Sequence, residues 1–199
     1  LREQGKKVKV ISFPNYEGFF GKEIGNLLSG KYSVTADTLD PKSMSLWYAL
    51  DRYSEVKKID FSEYDVIIFN RYTLSSIVYQ SLRENIENIE EWIMKLEHVQ
   101  LDLPIPDIYI VLDVDVQKSH ENILKKGERG YLDDEKDVYE RKEDFLQQVR
   151  NKYLVLAKKY ENVQVINCTT KDGRLESIDN IKDKIWDVVK EWSMLNMIL

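Results

Sequence analysis

The chain has 199 residues, 43% of them hydrophobic, which is enough for one domain with a full core, and its 8 glycines and 4 prolines leave little room for a flexible linker. A formal net charge of −6 argues against a general nucleic-acid or membrane-surface binder, because no basic excess exists to neutralise phosphates in bulk; a small anion held by a few placed cations stays open. The single Cys168 excludes an internal disulfide framework and a multi-cysteine metal site, the distant His98 and His120 argue against a histidine metal site, and no apolar run approaches the roughly 20 residues of a membrane span, so a cytoplasmic protein is the default expectation.

The first predicted element is KVKVISF (7–13), β-branched and almost continuously apolar, as strands covered on both faces are. GFFGKEIG (18–25) contains Gly-x-x-Gly-Lys, but a phosphate loop needs four residues between its glycines and a Ser or Thr after the lysine. Gly18 and Gly21 are two residues short and Glu23 follows Lys22, so the stretch reads as a turn entering the short helix GKEIGNLL. A helical pattern over PKSMSLWYALDRYSEVKKI leads to the strand YDVIIFN (64–70), and NIENIEEWIMKLEHV is the next helix. The strand DIYIVLDVD (107–115), the helices VQKSHENILKK and EKDVYERKEDFLQQVRNKYLVLAKKY, the strand VQVINC (163–168) and a last helix SIDNIKDKIWDVVKEW complete the chain. In that helix Ile178, Ile181, Ile185, Val188 and Trp192 fall on one stripe. Strand and helix in alternation predict an α/β, doubly wound parallel sheet with helices on both faces.

Ligands of such sheets bind beyond the carboxyl ends of the strands, which here read FPNYE, FNRYT, LDVDVQ and NCTTKDG. Pro14 fixes the chain as it leaves its strand. Asn70 and Arg71 put an amide and a guanidinium at a strand end, where burial is costly without an anionic partner; a structural Arg71 paired to a neighbouring carboxylate is the alternative. Tyr48 and Arg52 lie four apart on one helical face, a ring that can stack on a planar ligand and a fork that can bond its edge, and Ser75 and Tyr79 repeat the spacing. Together the two pairs point to a planar heterocycle carrying phosphate, although either alone is ordinary packing.

With these residues in place the chain resembles the thymidylate kinases, which phosphorylate dTMP from ATP. FP after a strand (Phe13, Pro14), the Gly21-Lys22 helix start, the Tyr-x-x-x-Arg of LWYALDRY, NRYTLSSIVYQ, LPIPDIYIVLDVD, the segment GERGYLDDEKDVYERKEDF and VQVINC follow one another with that family's spacings over nearly the whole chain. The resemblance implies a single domain over residues 1–199 with a lid at about 126–140. It implies that Tyr48 stacks on thymine and Arg52 contacts its edge, that Arg71 holds the monophosphate, that Phe13, Pro14, Asn70, Ser75, Tyr79 and Gln80 line the pocket, and that Tyr139 closes over it from the lid. Lys126 and Arg129 become candidates, with Arg71, for the cations that neutralise a transferring phosphoryl group, a solvated helix end being their other reading. Mg²⁺ would arrive with ATP, no metal ligand is assigned within the chain, and a homodimer is the expected assembly.

Two positions depart from the commoner pattern: Tyr16 stands where many members carry an arginine, and Asn70 where most carry an aspartate. The chain also opens at LREQGKK, which resembles only the last turn of the family's first helix. The central first strand and phosphate loop are therefore expected to be missing between the NRY and LDVD strands, and the chain to be a fragment that folds poorly and binds ATP weakly by itself. Another nucleotide or deoxynucleoside kinase, and a loop-less regulatory module that keeps the dTMP pocket without transferring phosphate, are the competing readings.

Overall fold

A computed structural model of the chain describes residues 1–83, 87–115 and 143–196. It has the expected α/β character: among the described residues four short strands, all paired in parallel, alternate with helices. The strands form two separate pairs rather than one continuous ladder among the described residues. The molecule gathers into two compact units, one containing Leu1–Ile105 and the other beginning at Pro106.

In the first unit β1 (Val8–Ser12) lies parallel to β2 (Val66–Asn70), in register from Val8 opposite Val66 to Ser12 opposite Asn70. Side chains alternate between the faces of such a pair. Ile11 and Phe69 are on the better covered face, whereas Val10 and Ile68 on the other are about half exposed, so the expectation of cover on both faces is met on one only among the described residues.

Helix α1 (Phe19–Ser29) ends on Gly30 at φ 79°, a left-handed cap that other residues adopt at a cost. Helix α2 (Pro41–Val56) starts where Asp40 accepts the N–H groups of Lys42 and Ser43 at 3.0 and 3.1 Å, with Pro41 at a position that needs no donor. Such a cap contributes about 1 kcal/mol. Helix α3 (Thr73–Ser81) follows β2 almost directly, and α4 (Ile89–Met94) continues into a π-helical turn, Lys95–Gln100. Helix α2 packs on both α1 and α3, and α3 packs on α4, around a core that includes Ile24, Met44, Ala49, Ile77, Val78 and Ile93.

The second unit has the same plan. β3 (Tyr109–Asp113) runs parallel to β4 (Val163–Asn167), and helices α5 (Glu143–Lys159) and α6 (Ile178–Asn196) pack on β4. Its buried apolar residues include Val149, Leu156, Val163 and Ile166. Of the predicted stripe on the last helix, Ile181, Ile185, Val188 and Trp192 are half-buried, but Ile178 is exposed because it opens the helix.

Candidate functional site

The two strand ends of the first unit lie side by side, because Ser12 and Asn70 are opposite one another in the ladder and the Phe13 N–H donates to the Asn70 carbonyl at 3.0 Å. Phe13 is buried and touches the rings of Phe69 and Tyr72, at centroid distances of 5.8 and 5.9 Å. The Phe13–Pro14 peptide is cis. Beyond it the chain turns tightly: the Asn15 carbonyl accepts the Gly18 N–H, and Gly21 presses so closely that a Cβ there would lie 1.8 Å from the Asn15 oxygen. That contact, rather than phosphate binding, accounts for the glycine in GFFGKEIG.

The turn is anchored to α2. The Asn15 N–H donates to Oδ2 of Asp51 at 3.0 Å. Asp51 is 1% exposed, its Oδ1 has no hydrogen-bond partner among the described residues, and burial pushes its carboxyl up to about 6 despite the N–H bond and the nearby Arg52 charge.

Next to Asp51, Arg52 turns inward. Its Nε and Nη2 donate to the two carboxylate oxygens of Glu97, at 2.8 and 2.5 Å, and Nη2 also donates to Oγ of Ser76 at 2.7 Å. The hydroxyl of Thr73 donates to Oε2 of Glu97 at 2.7 Å. The guanidinium carbon lies 6.0 Å from the ring centre of Tyr48 and 5.8 Å from that of Tyr72, and Tyr72 in turn stacks on Phe69 at 4.6 Å. The predicted Tyr48–Arg52 pair is therefore real, with Tyr48 half-buried, but Arg52 also has a buried anionic partner that spacing alone did not indicate.

At the end of β2 the pieces are more open. Asn70 is exposed and donates to Oγ of Ser12 at 3.3 Å. Arg71, exposed and with φ 61°, donates to Oγ of Ser75 at 3.3 Å and lies 5.5 Å from the centre of the Tyr79 ring. Ser75 and Tyr79 are half-buried, so the second predicted pair also faces a common cation. Gln80 is fully buried: Arg83 donates to its Oε1 at 2.8 Å and also holds the carbonyls of Asp37 and Leu39, while Nε2 of Gln80 has no hydrogen-bond partner among the described residues.

The decisive juxtaposition is on α3, where Arg52 reaches Ser76 and Arg71 reaches the adjacent Ser75. A candidate base-reading group and a candidate phosphate-reading group thus meet on consecutive residues of one helix. Lys126, Arg129 and Tyr139, with the lid at about 126–140, lie outside the described residues, as does His120.

The sequence is similar to those of known proteins. The thymidylate kinase family model matches residues 1–181. The chain belongs to the thymidylate kinase family. A "Probable thymidylate kinase" of Methanocaldococcus jannaschii is 35% identical over 187 residues, spanning 92% of this chain and 84% of that protein. A "Thymidylate kinase" of Mycobacterium tuberculosis H37Rv is 29% identical over 163 residues, spanning 79% and 75%. Among solved structures, the thymidylate kinase of Candida albicans superposes with a TM-score of 0.65 at 20% identity, covering 92% of this chain and 80% of that one, which shows a shared fold.

Within this thymidylate kinase family member, sequence reasoning missed Glu97, Ser76, Thr73 and Tyr72, all buried. Glu97 had left a signal: Ile89, Ile93 and Glu97 follow one another at four-residue intervals, so a carboxylate occupies a core position of the helical stripe.

Proposed function

We propose that the protein is a dTMP kinase, transferring the γ-phosphoryl group of ATP to thymidylate to give dTDP. The observation that carries this reading beyond family membership is the convergence of Arg52 and Arg71 on Ser76 and Ser75. In it, Tyr48 offers a face to the pyrimidine, Arg52 a donor to its edge, and Arg71 an exposed fork to the monophosphate.

Phosphoryl transfer asks the protein mainly to align two phosphates and neutralise charge. The attacking dTMP phosphate oxygen is ionised near neutral pH and needs no general base. Arg71 holds that phosphate, with Ser75 and Tyr79 fixing the guanidinium, while Phe13, Pro14, Asn70 and Gln80 shape the pocket wall. Lys126, Arg129 and Tyr139 keep the roles implied by the resemblance. Mg²⁺ enters with ATP as part of that substrate; among the described residues no group of three potential metal ligands gathers, and no step is assigned to the ion.

Homodimerisation and a cytoplasmic location belong to the same proposal. Leu46 and Leu50 are exposed one turn apart on α2, which supports a contact between copies. Among the described residues no helix is long and apolar enough to cross a membrane.

Calorimetric titration of the protein with dTMP, dCMP, dGMP and AMP tests the assignment of the pocket. Tightest binding of dTMP is expected; equal affinity for all four would contradict it.

A further inference from the structure

We propose that Glu97 is the positioning residue for base recognition, a buried carboxylate that sets the angle at which Arg52 presents its remaining donors to the 4-position of the pyrimidine. The inference rests on the reading of Arg52 as a base ligand and deepens it by adding a residue that touches no substrate.

An arginine has five N–H groups in a rigid plane. In Arg52 the Nε–H and both Nη2 hydrogens are taken, by Glu97 Oε2, Glu97 Oε1 and Ser76 Oγ. The Nη1 edge has no partner among the described residues. Two parallel bonds to one carboxylate fix both the plane and its rotation, so Nη1 has a single direction. Glu97 is itself fixed: it is fully buried, accepts the Thr73 hydroxyl at 2.7 Å, and sits on the π-helical turn at the end of α4. The rings of Tyr48 and Tyr72, each about 6 Å from the guanidinium carbon, limit its movement further.

A guanidinium edge held in this way discriminates by chemistry. Thymine presents an oxygen acceptor at position 4, where cytosine presents an amine whose hydrogens would face the Nη1 hydrogens. Selectivity between these two bases thus depends on Nη1 staying in place. Charge balance fits as well, since Glu97 neutralises the buried arginine and leaves the pocket wall without net charge to attract a wrong, anionic group.

The test compares dTMP and dCMP binding by calorimetry in the wild-type protein, Glu97→Gln and the double variant Arg52→Met/Glu97→Gln. Glutamine keeps the shape but turns an N–H₂ toward the guanidinium, so one anchor is lost and the plane rotates. In Glu97→Gln the dTMP affinity should fall roughly tenfold while dCMP affinity holds, collapsing the ratio between them. A wild-type ratio in a folded Glu97→Gln, with or without an equal loss for both nucleotides, would overturn the proposal. The double variant leaves no orphaned charge and isolates the underlying reading: if it keeps the wild-type ratio, Arg52 is no base ligand, whereas a collapsed ratio there and an intact one in Glu97→Gln would mean that Arg52 reads the base without help from Glu97. Should Glu97→Gln fail to fold, Glu97→Asp decides, because it keeps the charge but withdraws the carboxylate by one methylene and so shifts the guanidinium plane. A ratio lowered about threefold is then expected, and an unchanged one overturns the proposal.

Discussion

Arg52 and Glu97 meet through two nearly parallel hydrogen bonds of 2.8 and 2.5 Å, with side chains 2% and 0% exposed. A buried pair of this kind contributes little net stability once desolvation is counted, but either member left alone is an uncompensated charge in the core. The residue expected to read the base is for this reason also a brace between α2 and the π-helical turn after α4.

The first prediction separates these roles. Arg52→Ala should destabilise the protein by about 3 to 5 kcal/mol in urea denaturation, whereas Arg52→Met with Glu97→Gln should lie much closer to wild type. Lost activity in the alanine variant alone would thus report unfolding as much as lost base contact. Equal destabilisation of the single and double variants would show that the ion pair is not the source of the cost.

Arg71 should behave in the opposite way. It is exposed, and its bond to Ser75 is long at 3.3 Å. Arg71→Lys retains charge but loses the planar fork, so dTMP affinity should drop on the order of tenfold with the Tm within a few degrees of wild type. A large fall in Tm without a change in affinity would make Arg71 a structural residue.

Gly21 is required by packing. A methyl group there would meet the Asn15 carbonyl oxygen at 1.8 Å, and backbone cannot swing away as a side chain can. Gly21→Ala should cost about 1 to 3 kcal/mol or more and weaken dTMP binding, since the turn after Pro14 must move. Wild-type stability by thermal denaturation would refute the close approach.

Asp51 predicts a pH dependence with a definite sign. Its folded-state value of about 6 lies above the 3.8 of an unperturbed aspartate, so the folded protein binds the extra proton between those values. The penalty for ionising it is absent below about pH 4, grows as pH rises through the window and is complete above about pH 6, amounting to roughly 3 kcal/mol. Relative to Asp51→Asn, wild-type stability should therefore decline by that order between pH 4 and pH 8. A constant difference between the two proteins across the range would mean that Asp51 ionises normally. The charged groups that bear on it are Arg52, Glu55 and Lys58.

The strands and the main helices were legible because their signals are local. Each strand has β-branched residues in an apolar run, and α2 carries both its Asp40-Pro41 start and a buried stripe through Ser45, Ala49, Arg52 and Val56. Spacing also gave the two site pairs, Tyr48 with Arg52 and Ser75 with Tyr79. What it could not give was the partner of each charge, because Arg52 and Glu97 are 45 residues apart and meet only when α2 and α4 both pack on α3. Both nevertheless occupy core positions of their helices, and two charges of opposite sign at such positions are an early hint of a buried pair. Which strands pair, β1 with β2 and β3 with β4, depends on hydrogen bonding between segments far apart in the chain, which apolar runs alone do not encode.

The central claim is that this strand-end site serves phosphoryl transfer to thymidylate. Following the reaction of Mg·ATP with dTMP by ³¹P NMR tests it most directly, with dCMP, dGMP and AMP as parallel acceptors. The account predicts ADP and dTDP resonances growing together with dTMP, much faster than product forms with the other three. Turnover of dCMP or AMP at a rate equal to or above that of dTMP would contradict it.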